Sequence, residues 1–268
     1  MRRFSEEYLT ATRRGMWADR DALADLALST RERVLDVGAG TGELTRVLRA
    51  EAGGDQSTTG GGQVVAVDAD PALVGAVPPP RLLGDATQLP VADDAVDLVV
   101  CQALLVNLGD PATALAEFVR VSTDRVAAIE PDNSAVTVES TVDSEEPLAQ
   151  RARGMYLQGS AVDPALGSSR GLFEQAGLSG VSVRRYDHVR TVEPPYSGQA
   201  LESARRKASG AGLATDRDTM LAAGVTAEAF DRLRGEWRAM GRQVIEQMRA
   251  GEYRRRETVP FFVTVGQL

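Results

Sequence analysis

Residues 34–42 read VLDVGAGTG, and the fold turns on them. The stretch begins as a short apolar run holding one acid, Asp36, and ends in glycines at 38, 40 and 42. A brief apolar run closed by glycine reads as a buried strand, here 33–37. Residues 42–51 then set Leu44, Val47 and Leu48 at helical spacing. Strand, glycine turn and helix form a unit of open α/β sheets, which bind ligands beyond the carboxyl ends of their strands. Glycine lets the backbone turn sharply there and approach a ligand closely.

The same alternation continues outward. Strands are expected at 64–67, 81–83, 96–101 and 125–129. Helices are expected at 70–76, halted by Pro78, Pro79 and Pro80, and at 111–121, with Pro111 in the first turn. Residues 53–62, GGDQSTTGGG, read as a mobile glycine-rich loop. This order implies a parallel sheet with helices on both faces. The pattern loosens after residue 131. Helices are expected at 147–160, 168–177, 199–212 and 226–250, and strands at 180–190 and 258–265. Upstream, Phe4, Tyr8, Leu9, Met16, Trp17, Leu23, Leu26 and Leu28 suggest one or two helices within 4–30. No domain boundary is evident, so 1–268 reads as one domain. Its segments 1–30 and 195–250 lie outside the alternating core and suit a cap over a ligand site.

The dinucleotide fingerprint G-x-G-x-x-G/A would need a small residue at 43, where this chain has Glu43. A glutamate at the helix N-terminus opposes a pyrophosphate, which disfavours an NAD-type oxidoreductase. With Asp36 nearby, a cationic ligand without phosphate fits better, and S-adenosylmethionine (SAM) is one. Asp68 ends the second strand in VVAVDADP, followed by Ala69. A carboxylate there can accept from both ribose hydroxyls. It follows Gly38 by 30 residues, ten of them in the glycine-rich loop. That leaves the roughly 20 expected of a ribose-binding acid. Asp85 and Ala86 follow the third strand, where a carboxylate could accept from an adenine amine. Cys101 and Gln102 end the fourth.

On these motifs the chain resembles the class I SAM-dependent methyltransferases, in the broad group of the ubiquinone/menaquinone-biosynthesis type, methyltransferase-11-like. The resemblance covers about 33–129 and is echoed at the terminal strand, VPFFVTVGQL. It implies a Rossmann-like seven-stranded sheet of order 3-2-1-4-5-7-6, its last strand antiparallel. It also implies that Asp36, Gly38, Ala39 and Gly40 contact the methionine part of SAM, Asp68 the ribose, and Asp85 and Ala86 the adenine. Cys101 to Ala103 would lie near the sulfonium. Arg13 or Arg14 could pair with the cofactor carboxylate, Arg14 being the candidate. The product would be S-adenosylhomocysteine (SAH).

A sulfonium methyl needs little help beyond alignment and exclusion of water, so no triad or metal site is required. Where the acceptor needs a base, His188, Glu130 and Tyr156 are candidates. Glu130 and Asp132 follow the fifth strand and could instead touch substrate. Cys101 lacks the preceding proline of cysteine-dependent pyrimidine methyltransferases and reads as a small buried hydrophobe. Glu193-Pro194-Pro195-Tyr196 resembles the box of amide- and base-nitrogen methyltransferases. That box belongs after the fourth strand, so here it reads as a turn. Arg254 to Arg256 reads as a solvated turn.

Composition bounds the rest. The 268 residues are 43% hydrophobic and 25% charged, as in an ordinary globular protein. A net charge of -8 and 5% aromatics disfavour nucleic-acid and anionic-membrane partners. One cysteine and one histidine exclude an internal disulfide and His- or Cys-clustered metal sites. No apolar run approaches the roughly 20 residues of a membrane span, and the N-terminus lacks a signal-peptide core. The expectation is a cytoplasmic enzyme, monomer or homodimer, that methylates a small molecule. The alternatives are a SAM-binding protein without transferase activity, or a methyltransferase acting on RNA or protein.

Overall fold

The computed structural model describes residues 12–13, 16–17, 20–52, 62–160 and 169–268. The glycine-rich loop lies outside these except for Gly62, as do Arg14 and all of 1–11. The sheet is built from β1 (Arg33–Val37), β2 (Gln63–Asp68), β3 (Arg81–Leu83), β4 (Val96–Gln102), β5 (Ser122–Pro131), β6 (Thr137–Ser140), β7 (Ser179–Val192) and β8 (Arg255–Gln267). Its order is β3-β2-β1-β4-β5-β8-β6, and β7 also pairs with β8. The first five strands are parallel, and β8 runs antiparallel to β5 from Arg125↔Gln267 to Pro131↔Phe261. The expected order is therefore present, with the chain's last strand pairing with both β5 and β7. The short β6 is an addition, antiparallel to β8 at Thr137↔Thr258 to Ser140↔Arg255.

β4, VDLVVCQ, is buried along nearly its whole length, as a central parallel strand covered on both faces must be. The helices are α1 (Glu43–Ala52), α2 (Pro71–Ala76), α3 (Pro111–Val121), α4 (Glu145–Gly159), α5 (Arg170–Gln175), α6 (Gly198–Ser209), α7 (Ala211–Thr215), α8 (Arg217–Ala222) and α9 (Ala227–Ala250). α3 shows how the sequence sets an element. Asp110 caps it, accepting from the Thr113 N–H at 3.1 Å, a contact worth about 1 kcal/mol. Ala114, Leu115, Phe118 and Val121 recur at helical spacing and are buried in the sheet core with Leu35, Val37, Val99 and Cys101.

The described N-terminal stretch differs from the helices expected there. Residues 21–26 and 28–30 are 3₁₀ turns, separated by Ala27 at φ 51°. The helix expected over 199–212 is broken by Gly210 at φ 70°.

The chain divides into two compact units. The first comprises the described residues of Met1–Asp132, Leu166–Tyr186 and Phe261–Leu268, and the second those of Asn133–Ala165 and Asp187–Pro260. The second has its own core of Leu148, Leu213, Phe230, Leu233, Met240, Val244 and Tyr253. There α6 and α9 approach so closely that a Cβ on Gly241 would sit 2.3 Å from the Ala208 nitrogen. Glycine is required at that crossing. Met155, Tyr156 and Trp237 pack against this core. No helix among the described residues is long and apolar enough to cross a membrane.

Candidate active site

The described candidate cofactor residues all fall in the first unit, at the carboxyl ends of β1 to β4 or just beyond. The loop after β1 is tied to β2: the Gly38 and Ala39 N–H groups donate to the Val67 carbonyl at 2.8 and 3.0 Å. Gly38 and Gly40 hold φ of 73° and 55°. The Gly40 N–H donates to Asp68 Oδ2 at 2.8 Å, and the Asp70 N–H to Asp68 Oδ1 at 2.8 Å. Asp68 therefore orders the loop through one oxygen and its own turn through the other. A carboxylate oxygen has two acceptor positions, so each keeps one for a further donor.

Asp36 lies beneath the loop, 1% exposed. Its Oδ2 accepts from the Thr45 hydroxyl at 2.5 Å, while Oδ1 is buried without a hydrogen-bond partner among the described residues. Burial pushes its carboxyl up to about 6, against the Thr45 bond and the charge of Arg13. Gln102 ends β4, also buried. Its Nε2 donates to Met16 Sδ at 2.9 Å, its backbone carbonyl accepts from Arg13 Nη2 at 3.4 Å, and its Oε1 is buried without a partner among the described residues.

Glu130 is fully buried at the end of β5. Its Oε1 accepts from the Leu104 and Leu105 N–H groups at 3.0 Å each, and Oε2 from Val106 at 3.2 Å. It thereby holds the turn after β4. Burial pushes it up to about 7, and the three amides oppose that shift. The buried Cys101 thiol points to Glu130 Oε1 at 3.7 Å, and burial with the Glu130 charge raises its pKa. Asp85 is exposed and held below the usual carboxylate range by the Thr87 N–H and hydroxyl, both at 2.8 Å. Ala86 is buried beside it, and Ala69 is exposed beside Asp68. Glu43 opens α1 and is ion-paired with Arg46, so part of its repulsion toward a phosphate is neutralised within its own helix.

Residues 35–129 match the family described as a methyltransferase domain. They form a methyltransferase domain. A protein of Bacillus halodurans C-125 designated a methyltransferase is similar in fold, at 14% identity over 93% of this chain and 99% of its own, with a TM-score of 0.50. The YcgJ protein of Bacillus subtilis aligns at 14% identity over 92% of this chain and 98% of its own, with a TM-score of 0.47. A search of curated proteins gives no match.

The cofactor of the methyltransferase is SAM, and the residues present fit it. Two buried acceptors without donors, Asp36 Oδ1 and Gln102 Oε1, are costly unless a ligand supplies hydrogens. An ammonium group carries such hydrogens, and its charge suits the anionic form of Asp36. The acceptor positions left on Asp68 suit a vicinal diol. Arg14 lies outside the described residues, whereas its neighbour Arg13 has its charge near Asp36. His188, buried, and Tyr156, half-buried, belong to the second unit. So does Tyr196 of the EPPY turn, whose hydroxyl donates to the Tyr253 carbonyl at 3.1 Å. Thr45 was not singled out in the sequence. Its one signal is a polar residue, fully buried here, on the inward face of an amphipathic helix.

Proposed function

We propose that the chain transfers the methyl of SAM to a small-molecule acceptor, acting in the cytoplasm as a monomer or homodimer without nucleic-acid or membrane partners. The observation that carries the cofactor assignment is the donorless Oδ1 of Asp36 under a glycine loop that Asp68 fastens. In this reading Asp36, Gly38, Ala39, Gly40 and Gln102 receive the methionine part. Asp68 and Ala69 receive the ribose, Asp85 and Ala86 the adenine. The cofactor brings an activated methyl on a sulfonium, which a nucleophilic O, N, S or C atom of the acceptor takes in line, leaving SAH. The protein's part is to fix the sulfonium end and exclude water. Glu130 enters as the residue that fixes the turn after β4. A small molecule is favoured by the net charge of -8 and by the EPPY stretch not following β4 directly in the sequence.

Calorimetry tests the cofactor: SAM and SAH bind in the micromolar range and NAD does not. Transfer of labelled methyl from SAM, assayed on small-molecule, RNA and protein fractions of a cell extract, tests the acceptor. Label in RNA or protein would overturn the small-molecule reading, and label nowhere would favour a binding protein without transfer.

Affinity for SAM also depends on pH in a fixed direction. The anionic form of Asp36 attracts the cationic cofactor, and that form is lost below about 6. Binding therefore releases a proton, and affinity falls about tenfold from pH 7 to pH 5. Asp36→Asn flattens this profile, and a wild-type profile already flat would remove Asp36 from the site. In the free protein the sign is opposite. A raised carboxyl pKa stabilises the fold below the unfolded value of 3.8, and that contribution is lost as pH rises through about 6.

A further inference from the structure

The second unit holds a cluster of charges that the methyl-transfer reading does not use. Glu145, 1% exposed, lies at its centre. Its Oε2 accepts from Ser140 Oγ at 2.6 Å and from the Tyr253 hydroxyl at 2.8 Å. Its Oε1 is paired with Lys207 and accepts from Arg255 Nε at 3.1 Å. Glu145 is thus saturated. Glu257 takes the remaining cations: Arg255 Nη2 at 3.0 Å on Oε1, Arg190 on Oε2, and Arg153 Nη2 only at 3.8 Å.

Four cations therefore share two carboxylates. Both acids are held ionised against the cost of burial by their cationic neighbours, so the cluster carries an excess of positive charge. A purely structural network in a low-dielectric setting would be expected to balance, because an unpaired charge shielded from water is costly. The imbalance is concentrated on two arginines. Among the described residues Arg153 has one hydrogen bond, from Nη1 to the Val136 carbonyl at 3.0 Å, and its distance from Glu257 is beyond hydrogen bonding. Arg190 has a buried Nε without a partner. Their side chains are 21% and 33% exposed, against 15% and 16% for Lys207 and Arg255. The two under-paired arginines are also the two most open to solvent.

We propose that Arg153 and Arg190 form a binding site for a small oxyanion, a phosphate or carboxylate group, held within the second unit. The planar guanidinium fork matches the paired oxygens of either group, which the point charge of a lysine does not. Glu257 holds Arg190 while leaving part of its fork uncommitted, and an arriving anion would neutralise the excess charge. The whole chain carries a net charge of -8, so this is a local feature and no part of a general basic surface.

The test is thermal unfolding of the full chain, titrated at constant ionic strength with inorganic phosphate and, separately, with succinate, sodium chloride serving as the matched control. The midpoint is expected to rise saturably with one or both anions and not with chloride. The rise should persist when SAH is present, which separates this site from the cofactor site. Phosphate alone, succinate alone, or both identify the group recognised. Arg153→Gln and Arg190→Gln should each weaken the apparent affinity at least tenfold. Where either glutamine variant fails to fold, Arg153→Lys and Arg190→Lys keep the charge and lose the fork, and the same weakening is expected. No saturable rise in the wild type overturns the proposal, as does a rise that survives in the arginine variants. Neither result bears on methyl transfer.

Discussion

Calorimetry of Gly40→Val is expected to show no binding of SAM or SAH, while far-UV circular dichroism shows the sheet intact. Two effects combine at this position. Gly40 has φ 55°, and a β-branched residue held there is strained by roughly 1–3 kcal/mol. The loop escapes that strain only by rotating its backbone, which withdraws the Gly40 N–H from Asp68 Oδ2. The shape of the loop and the orientation of the ribose acid are lost together. In addition, the valine side chain occupies space the cofactor needs if the backbone approaches it closely. β1 and β2 are paired over five residues from Arg33↔Gln63 to Val37↔Val67, and none of those pairs involves Gly40, so the strands survive. The unfolding midpoint should drop by several degrees at most. Undiminished binding in this variant would show that the loop does not approach the cofactor.

The sequence showed some of this site directly and hid the rest for a physical reason. β1, β2 and β4 are runs whose apolar character follows from burial on both faces, so they are readable without knowledge of their neighbours. The positions of Asp36, Gly38, Gly40 and Asp68 were readable because they are set locally: an acid at a strand end and a turn only glycine adopts easily. Elements that depend on distant partners were not readable. β6, TVES, is a strand through its pairing with 255–258 at the far end of the chain. The 3₁₀ turns at 21–30 place Leu23 and Leu26 three apart, a spacing that also fits an α-helix. Glu130 is the sharpest case. Read alone, an acid after a strand at the cofactor side suggests a base or a substrate contact. In the structure its oxygens accept three backbone N–H groups from 104–106, a role fixed by residues about 25 positions away. Thr45 and the Gln102–Met16 contact are likewise tertiary. The oxyanion cluster draws on α4, α6, β6, β7 and β8, and no linear pattern connects them.

The second large effect belongs to Asp68→Ala. A carboxylate that accepts from two ribose hydroxyls contributes two charge-assisted hydrogen bonds, each worth roughly 1.5–3 kcal/mol. Their loss alone would weaken SAM binding by about a hundredfold or more. The substitution also frees the Gly40 and Asp70 N–H groups, both now held at 2.8 Å, so part of the loss is disorder in the loop. Asp68→Asn separates the two contributions. Its amide keeps one oxygen that can still accept from Gly40 or from a hydroxyl, but not the pair, and its charge is gone. The expected order of affinity is wild type, then Asp68→Asn, then Asp68→Ala, with SAM and SAH affected alike because both carry the ribose. Adenosine provides the sharper measurement, since it has the diol and lacks the methionine part. Its binding should fall by the same factor as that of SAM in Asp68→Ala, yet be unaffected by Asp36→Asn. If adenosine binds equally well to wild type and Asp68→Ala, Asp68 is a loop fastener and the ribose lies elsewhere.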